Sequence, residues 1–261
     1  METLIRLSAA LGIFVSMVGW EWLRPRRTLT YPRLQRWPIN LGLALLNMLV
    51  IRFSIGSVAY LSAVKAQQLD WGLLHIGHIP YELAILITVL TLDIAIYGQH
   101  ILMHKWPLLW RLHQVHHTDL DFDATTAVRF HPFEILLSLA YKVVCIFLVG
   151  AEPLAVIAFE IILNGAATFN HSNVAIPERV GHLLRYILVT PDMHRIHHST
   201  VPSETDSNYG FWISCWDRLF KTYTANPQQA QLVMPIGLAG YRHNKALSLL
   251  KLLALPFKRL Q

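Results

Sequence analysis

Three apolar runs set the first limit on what this chain can become, within Leu4–Leu23, Ile39–Val64 and Leu83–Met103. Each is close to the roughly 20 residues an α-helix needs to cross the hydrocarbon core of a bilayer. Lipid offers no water to bond backbone amides, so a spanning segment must satisfy them itself, and a helix does. Composition agrees: 54% of the 261 residues are hydrophobic, only 15% are charged, and mean hydropathy is +0.39, whereas a soluble domain carries roughly 25% charged residues. Little charge precedes the first run, no small-residue cleavage site follows it, and "RPRR" stops it, so it is expected to stay as a membrane helix rather than act as a signal peptide.

Charge orients the runs, because short loops rich in Lys and Arg stay cytoplasmic. The first loop, "RPRRTLTYPRLQR", carries Arg24, Arg26, Arg27, Arg33 and Arg36, whereas "KAQQLDWGLLHIGHIP" after the second run sets Lys65 against Asp70. The first loop is therefore expected in the cytoplasm, and the chain from His104 onward emerges there. Two further runs, Phe133–Leu148 and Leu154–Phe169, flank "VGAEP" and predict a helical hairpin in the bilayer whose ends both face the cytoplasm. The tail "ALSLLKLLALPFKRL" is too short to span and predicts an interfacial helix. The expected organisation is residues 1–104 with about three spans, a histidine-rich region 105–223 containing the hairpin 133–170, and a tail 224–261. Cys145 and Cys215 stand too far apart for a zinc ribbon or iron–sulfur motif. The net charge of +6 suits anionic headgroups and shows no separate nucleic-acid patch.

The chemistry lies in the histidines. His100 and His104 are four apart at the end of the third run, on one helical face. "HQVHH" (His113, His116, His117) and "HRIHH" (His194, His197, His198) each place three imidazoles on one side of a helix, able to address one site or two neighbouring sites. A structural zinc takes about four ligands and a catalytic zinc about three plus water, so eight imidazoles point to two ions. Imidazole suits zinc, copper, iron and nickel, so ligand type leaves the metal open. His171 closes the hairpin on the same side and is a candidate ninth ligand; His131 opens it and is a candidate hydrogen-bond partner. His75, His78, His182 and His243 are expected to be solvated or capping. Among nearby acids (Asp93, Asp119, Asp121, Asp123, Asp192, Glu204 and Asp206), Asp119, Asp192 and Asp206 are candidates for orienting the ligands. The predicted fold is all-α, an integral membrane helical bundle with a cytoplasmic histidine-rich metal-binding cap.

A membrane metal-ion transporter or store is the alternative function, but transporters set their ligands near the bilayer midplane. A metallohydrolase would want a glutamate base that "HILMH" lacks.

"QHILMHKWPLLWRLHQVHH", "TTAVRFHPFE", "FNHSNV" and "TPDMHRIHHS" with "ETDSNYGFWISCWDRLFKTY" resemble the fatty acid hydroxylase and sterol desaturase superfamily over about His100–Tyr223. The resemblance implies a non-haem di-iron centre held by His100, His104, His113, His116, His117, His194, His197 and His198, hydroxylating or desaturating a lipid C–H bond with dioxygen and two external electrons. Some fatty acid hydroxylases have an additional His-x-x-x-His pair before the last cluster; here Ala167 replaces its first member and His171 alone survives. No cytochrome, flavin or ferredoxin module fits the remaining sequence, so a separate reductase, ferredoxin or cytochrome-type donor is expected. Zinc, which can outcompete ferrous iron at nitrogen sites, is a possible substitute in purified protein. Trp106, Trp110, Phe130, Phe169, Phe211, Trp212 and Trp216 are candidates for lining a lipid pocket or anchoring the interface.

Overall fold

The structure, a computed structural model, describes residues 2–54, 57–77, 79–242 and 247–258, without the side chains of Glu2 and residues 52–54. Its α-helices are α1 (Glu2–Leu23), α2 (Arg33–Ser54), α3 (Val58–Gln68), α4 (Leu73–Ile76), α5 (Tyr81–Lys105), α6 (Pro107–His117), α7 (Pro132–Val149), α8 (Pro153–Asn170), α9 (Glu178–Leu184), α10 (Pro191–His197), α11 (Pro202–Thr205), α12 (Cys215–Leu219) and α13 (Leu249–Ala254). No β-strand occurs among the described residues, only three isolated bridges. The expected all-α membrane bundle is what the chain forms.

Five of the described helices, α1, α2, α5, α7 and α8, are long and apolar enough to span a bilayer. The run Ile39–Val64 differs from its single-helix reading. Helix α2 is described to Ser54, and α3 starts at Val58 with Ser57 as its N-cap, so the run is divided between two helices. The hairpin is as expected, with spanning length in both arms. Proline at the first turn starts each arm, and Gly150 ends α7 at φ +72°, a left-handed position that favours glycine. There the chain also closes on Gly72, where an added Cβ would stand 2.2 Å from the Gly150 nitrogen.

Small residues let the helices approach: Ala59 and Ala63 of α3 and Ala155 of α8 pack with Val89, Leu92 and Ile96 of α5 and Phe159 of α8. Glu160 of α8 receives ion pairs from Arg6 of α1 and Lys142 of α7, the pairing a charge inside a membrane requires. The tail packs on the bundle: Leu252 and Leu255 are buried against Leu43 of α2 and Val115 of α6, while Leu250 and Phe257 stay exposed.

Candidate metal centre

Helix α5 carries His100 and His104 in its last two turns. Trp106 adopts an extended conformation and Pro107 starts α6, whose last two turns hold His113, His116 and His117. His171 is the C-cap of α8. Thr190 caps α10 by accepting from the Met193 amide, Pro191 fills the first turn, and His194, His197 and the C-cap His198 follow. Four segments thus deliver nine histidines to one end of the bundle.

The nine divide into two groups: His100, His104, His113, His117 and His197; and His116, His171, His194 and His198. Within each, one candidate ligand atom per residue lies within 4.8 Å of all the others. Each His-x-x-His-His motif is shared between them. The pair four apart (His113 and His117; His194 and His198) serves one group, and the remaining histidine (His116; His197) serves the other. The groups touch, with the His117 and His198 rings stacked at 4.5 Å.

Hydrogen bonds aim these rings. The Nδ1–H of His100 donates to the Tyr209 carbonyl (2.7 Å), that of His113 to the Glu134 carboxylate (2.6 Å), that of His197 to the Ser207 carbonyl (2.7 Å) and that of His171 to the Ala167 carbonyl (2.7 Å). For the first three, Nε2 is then buried with no partner, as are Nε2 of His104, Nδ1 of His116 and His194, and both nitrogens of His117 and His198. An unsatisfied buried polar atom costs about 1–3 kcal/mol, so this concentration of lone pairs makes physical sense around cations. The Nε2 atoms of His116 and His194 stand 3.0 and 3.1 Å from Nε2 of His171, about the spacing of nitrogens that share one ion at about 2.1 Å. Burial, and then the neighbouring histidines, push His116, His117, His194 and His198 well below the usual imidazole range. Burial likewise lowers His171 to about 4 and His197 to about 3. All six are held neutral, the form that binds metal. The donor set fits two metal ions.

The candidate acids lie at different depths. Asp206 accepts from the Tyr209 hydroxyl (3.2 Å) and pairs with Lys105, and its Oδ1 lies 3.7 Å from Nδ1 of His104. Asp119 stands behind α6, gripped at both oxygens by Arg36 (2.7 and 2.8 Å). Burial alone would raise its carboxyl, but the Arg36 guanidinium drives it far below the carboxylate range. Arg36 also donates to Asp123 (2.6 Å), and Arg129 donates to the Val115 carbonyl and the Thr118 hydroxyl, fixing the end of α6. Asp192 pairs with Arg26, Arg185 and Arg195. His131 lies outside both groups: it caps α7 by accepting from the Phe133 amide, and its Nε2–H donates to the Leu253 carbonyl. His75 faces Asp70 and His182 packs on Tyr186; His78 and His243 lie outside the described residues.

Three residues escape the sequence reading. Glu134 is an acid in the first turn of an apolar helix, which is its signal in the sequence. Arg36 stands in the sequence as a topology charge, with nothing local to mark its buried role. Asp217, raised to about 6 by burial, accepts from the Tyr209 and Gly210 amides and so holds the loop that receives His100.

Aromatic rings enclose the centre. Phe130 lies flat on His116 (4.5 Å), Trp110 packs on His104 (5.0 Å) and Phe211 on His100 (5.0 Å). Trp216 instead donates to Asp93, and Trp106 is exposed.

The fatty acid hydroxylase family matches residues 85–222, more than half of the sequence and all nine histidines. The chain belongs to the fatty acid hydroxylase family. Its relatives include the ornithine lipid hydroxylase OlsE of Rhizobium tropici, 32% identical over 69% of this chain and 52% of that protein. Alkylglycerol monooxygenase of Xenopus tropicalis is 32% identical over 55% of this chain and 31% of its own length. Cholesterol 25-hydroxylase of Rattus norvegicus is 25% identical over 57% and 49%. This fatty acid hydroxylase family member thus spans from about a quarter to about half of the length of the curated relatives it matches. No solved structure matches it.

Proposed function

We propose that this chain is a membrane-bound non-haem di-iron oxygenase that hydroxylates a C–H bond of a lipid. The observation that carries the reading is the pair of adjoining histidine groups, each converging unpartnered imidazole nitrogens at the ends of membrane-spanning helices. His100, His104, His113, His117 and His197 would hold one iron, and His116, His171, His194 and His198 the other. Iron with dioxygen supplies the oxidising power that an unactivated C–H bond demands and that zinc lacks. In the overall reaction one oxygen atom enters the C–H bond as a hydroxyl and the other leaves as water, consuming two electrons and two protons. A separate reductase, ferredoxin or cytochrome-type donor provides the electrons.

The chain's own part is positional. Glu134 and the carbonyls of Tyr209 and Ser207 keep His113, His100 and His197 in one tautomer, with Nε2 turned inward. Phe130, Trp110 and Phe211 exclude water from the rings. Lipid as the substrate class follows from a site at helix ends, and the relatives named as hydroxylases and a monooxygenase favour an alcohol product over an alkene. The arginines of the first loop support a cytoplasmic site. In this reading residues 1–104 are the N-terminal spans, 105–223 the catalytic region and 224–261 the tail.

The test is oxidation of membrane lipid by iron-loaded protein with a reducing system under ¹⁸O-labelled dioxygen. A single labelled hydroxyl in a lipid product, absent with His116→Ala and His197→Ala, is the expected result. Full lipid oxidation and metal content in both variants would overturn the reading.

A further inference from the structure

The chain after His198 does not stay at the level of the histidines. Asp93, Tyr97, His100 and His104 fall on one face of α5, and residues 206–222 run beside that face. Tyr209 packs on His104 and offers its carbonyl to His100. The Tyr97 hydroxyl bonds that of Thr222 (2.8 Å) and its ring stacks on Phe220, and Trp216 of α12 donates to Asp93 (2.7 Å). Helix α5 is about 37 Å long and the hydrocarbon core about 30 Å thick. With all of the excess placed at the histidine end, the core still begins near His100, and Tyr97 and Asp93 lie inside it. Other spans are reached by the same lobe: Leu188 and Val189 line one groove with Ile13 of α1 and Ile161 of α8, and Trp212 packs against the core cluster that holds Leu92 and Phe159. A lobe tied to the middle of three spanning helices stands at bilayer depth.

The outer surface of the lobe has a composition that suits this depth. Leu183, Tyr186 and Ile187 at α9, and Leu219 and Phe220 at α12, are each half to two-thirds exposed. The two helices are stitched together: the Ser214 amide donates to the Ile187 carbonyl (3.0 Å), the Ser214 hydroxyl to the Arg185 carbonyl (2.7 Å), and Arg218 lies over the rings of Tyr186 and Tyr223. The exposed apolar residues therefore belong to one patch, and a patch of this kind marks an interaction surface. Its charges have one dominant sign, with Arg179, Arg185, Arg218 and Lys221 against Glu178, and Asp217 buried. Apolar side chains edged by bases suit a leaflet carrying anionic headgroups, which the bases reach on their long stems.

We propose that α9 and α12 form a lobe embedded in the leaflet nearest the histidines, with acyl chains against Leu183, Ile187, Leu219 and Phe220 and anionic headgroups at Arg179, Arg218 and Lys221. Neither helix is long enough to span, so the lobe enters the leaflet from one side and returns. Phe211, adjacent to Trp212, packs on His100 and His194, and through this one aromatic residue the lobe joins the leaflet to the histidines. The contact with lipid is independent of which metal the histidines hold and of the reaction they support.

The test uses the full-length protein in nanodiscs of phosphatidylcholine and phosphatidylglycerol, with the free thiols removed by Cys145→Ala and Cys215→Ser and a bimane fluorophore on one new cysteine. Leu183→Cys and Phe220→Cys probe the lobe, Leu11→Cys on the outward side of α1 reports lipid, and Gln229→Cys, exposed outside the lobe, reports water. The substituted lobe side chains are exposed, so metal content is expected to be unchanged. Lipids brominated along the acyl chain are expected to quench the Leu183 and Phe220 labels about as strongly as the Leu11 label, while aqueous iodide quenches only the Gln229 label strongly. Brominated phosphatidylglycerol is expected to quench the Phe220 label at lower mole fraction than brominated phosphatidylcholine, and this preference to fall by up to about fivefold for each of Arg179→Gln and Lys221→Gln. Iodide quenching of both lobe labels to the level of Gln229 would overturn the proposal by placing the lobe in water. Shielding from both quenchers would overturn it by placing another protein chain there, and an equal response to the two brominated lipids would overturn the headgroup assignment.

Discussion

Helix α1 and the histidine cap are built by opposite rules within one chain. Along the apolar stretch of α1 only Glu21, near its end, is buried within the protein, and Leu4, Leu7, Leu11 and Val15 face outward. In the cap Arg36, Asp119, Asp123, Arg129 and all nine histidine side chains are buried and bonded or aimed at one another. The spans need length and apolarity, which many residues supply. The cap needs particular partners at particular distances, since each buried charge or lone pair is costly alone. Substitutions should therefore be tolerated in α1 and damaging in the cap.

The sharpest contrast comes from removing a proposed ligand. His194→Ala should lose the ion of its group and cut lipid oxidation by more than about 100-fold, beyond what indirect partners of a metal usually contribute, as read by metal analysis and product yield. Next, Arg36→Met strands the carboxylates of Asp119 and Asp123 and should destabilise the protein by about 3–5 kcal/mol, visible in thermal unfolding in detergent. Acid should act on the metal-free protein in the same sense. The unfolded histidines take up protons from about pH 6.5 downward, whereas in the fold His171 stays neutral to about 4 and His197 to about 3. The unfolded state thus binds more protons across this window. Stability should fall with falling pH by at least about 1.4 kcal/mol per unit, and bound metal should reduce the slope. A melting temperature independent of pH between about 7 and 5 would contradict neutral burial of the histidines. Glu134→Ala should weaken metal binding by about 10–100-fold while leaving the fold intact, measured by competition with a chelator. At the other extreme, Leu11→Ala on the outward face of α1 should change stability by less than about 0.5 kcal/mol. A large effect there would erase the distinction.

How much could be read from the sequence follows the same division. The spans were legible as apolar runs, and prolines 107, 132, 153 and 191 mark helix starts. The histidine spacings placed their rings on common faces, and His171 was recognised as a ninth candidate. What stayed hidden was long-range: Arg36 and Asp119 are 83 residues apart in the chain, and nothing local to either announces the other. The allotment of His116 and His197 to opposite groups depends on how α6 and α10 face each other, which spacing along one helix leaves open. Gly150 was legible as a turn, but its contact with Gly72 depends on tertiary packing.

The central claim is that two adjoining histidine groups hold two redox-active ions, and the most direct measurement is metal content per chain with Mössbauer spectroscopy on protein purified from iron-supplied cells. The account predicts two spin-coupled irons per chain, with coupling lost in His116→Ala and in His197→Ala, one variant for each group. One isolated ion, or two irons whose coupling survives both variants, would contradict it.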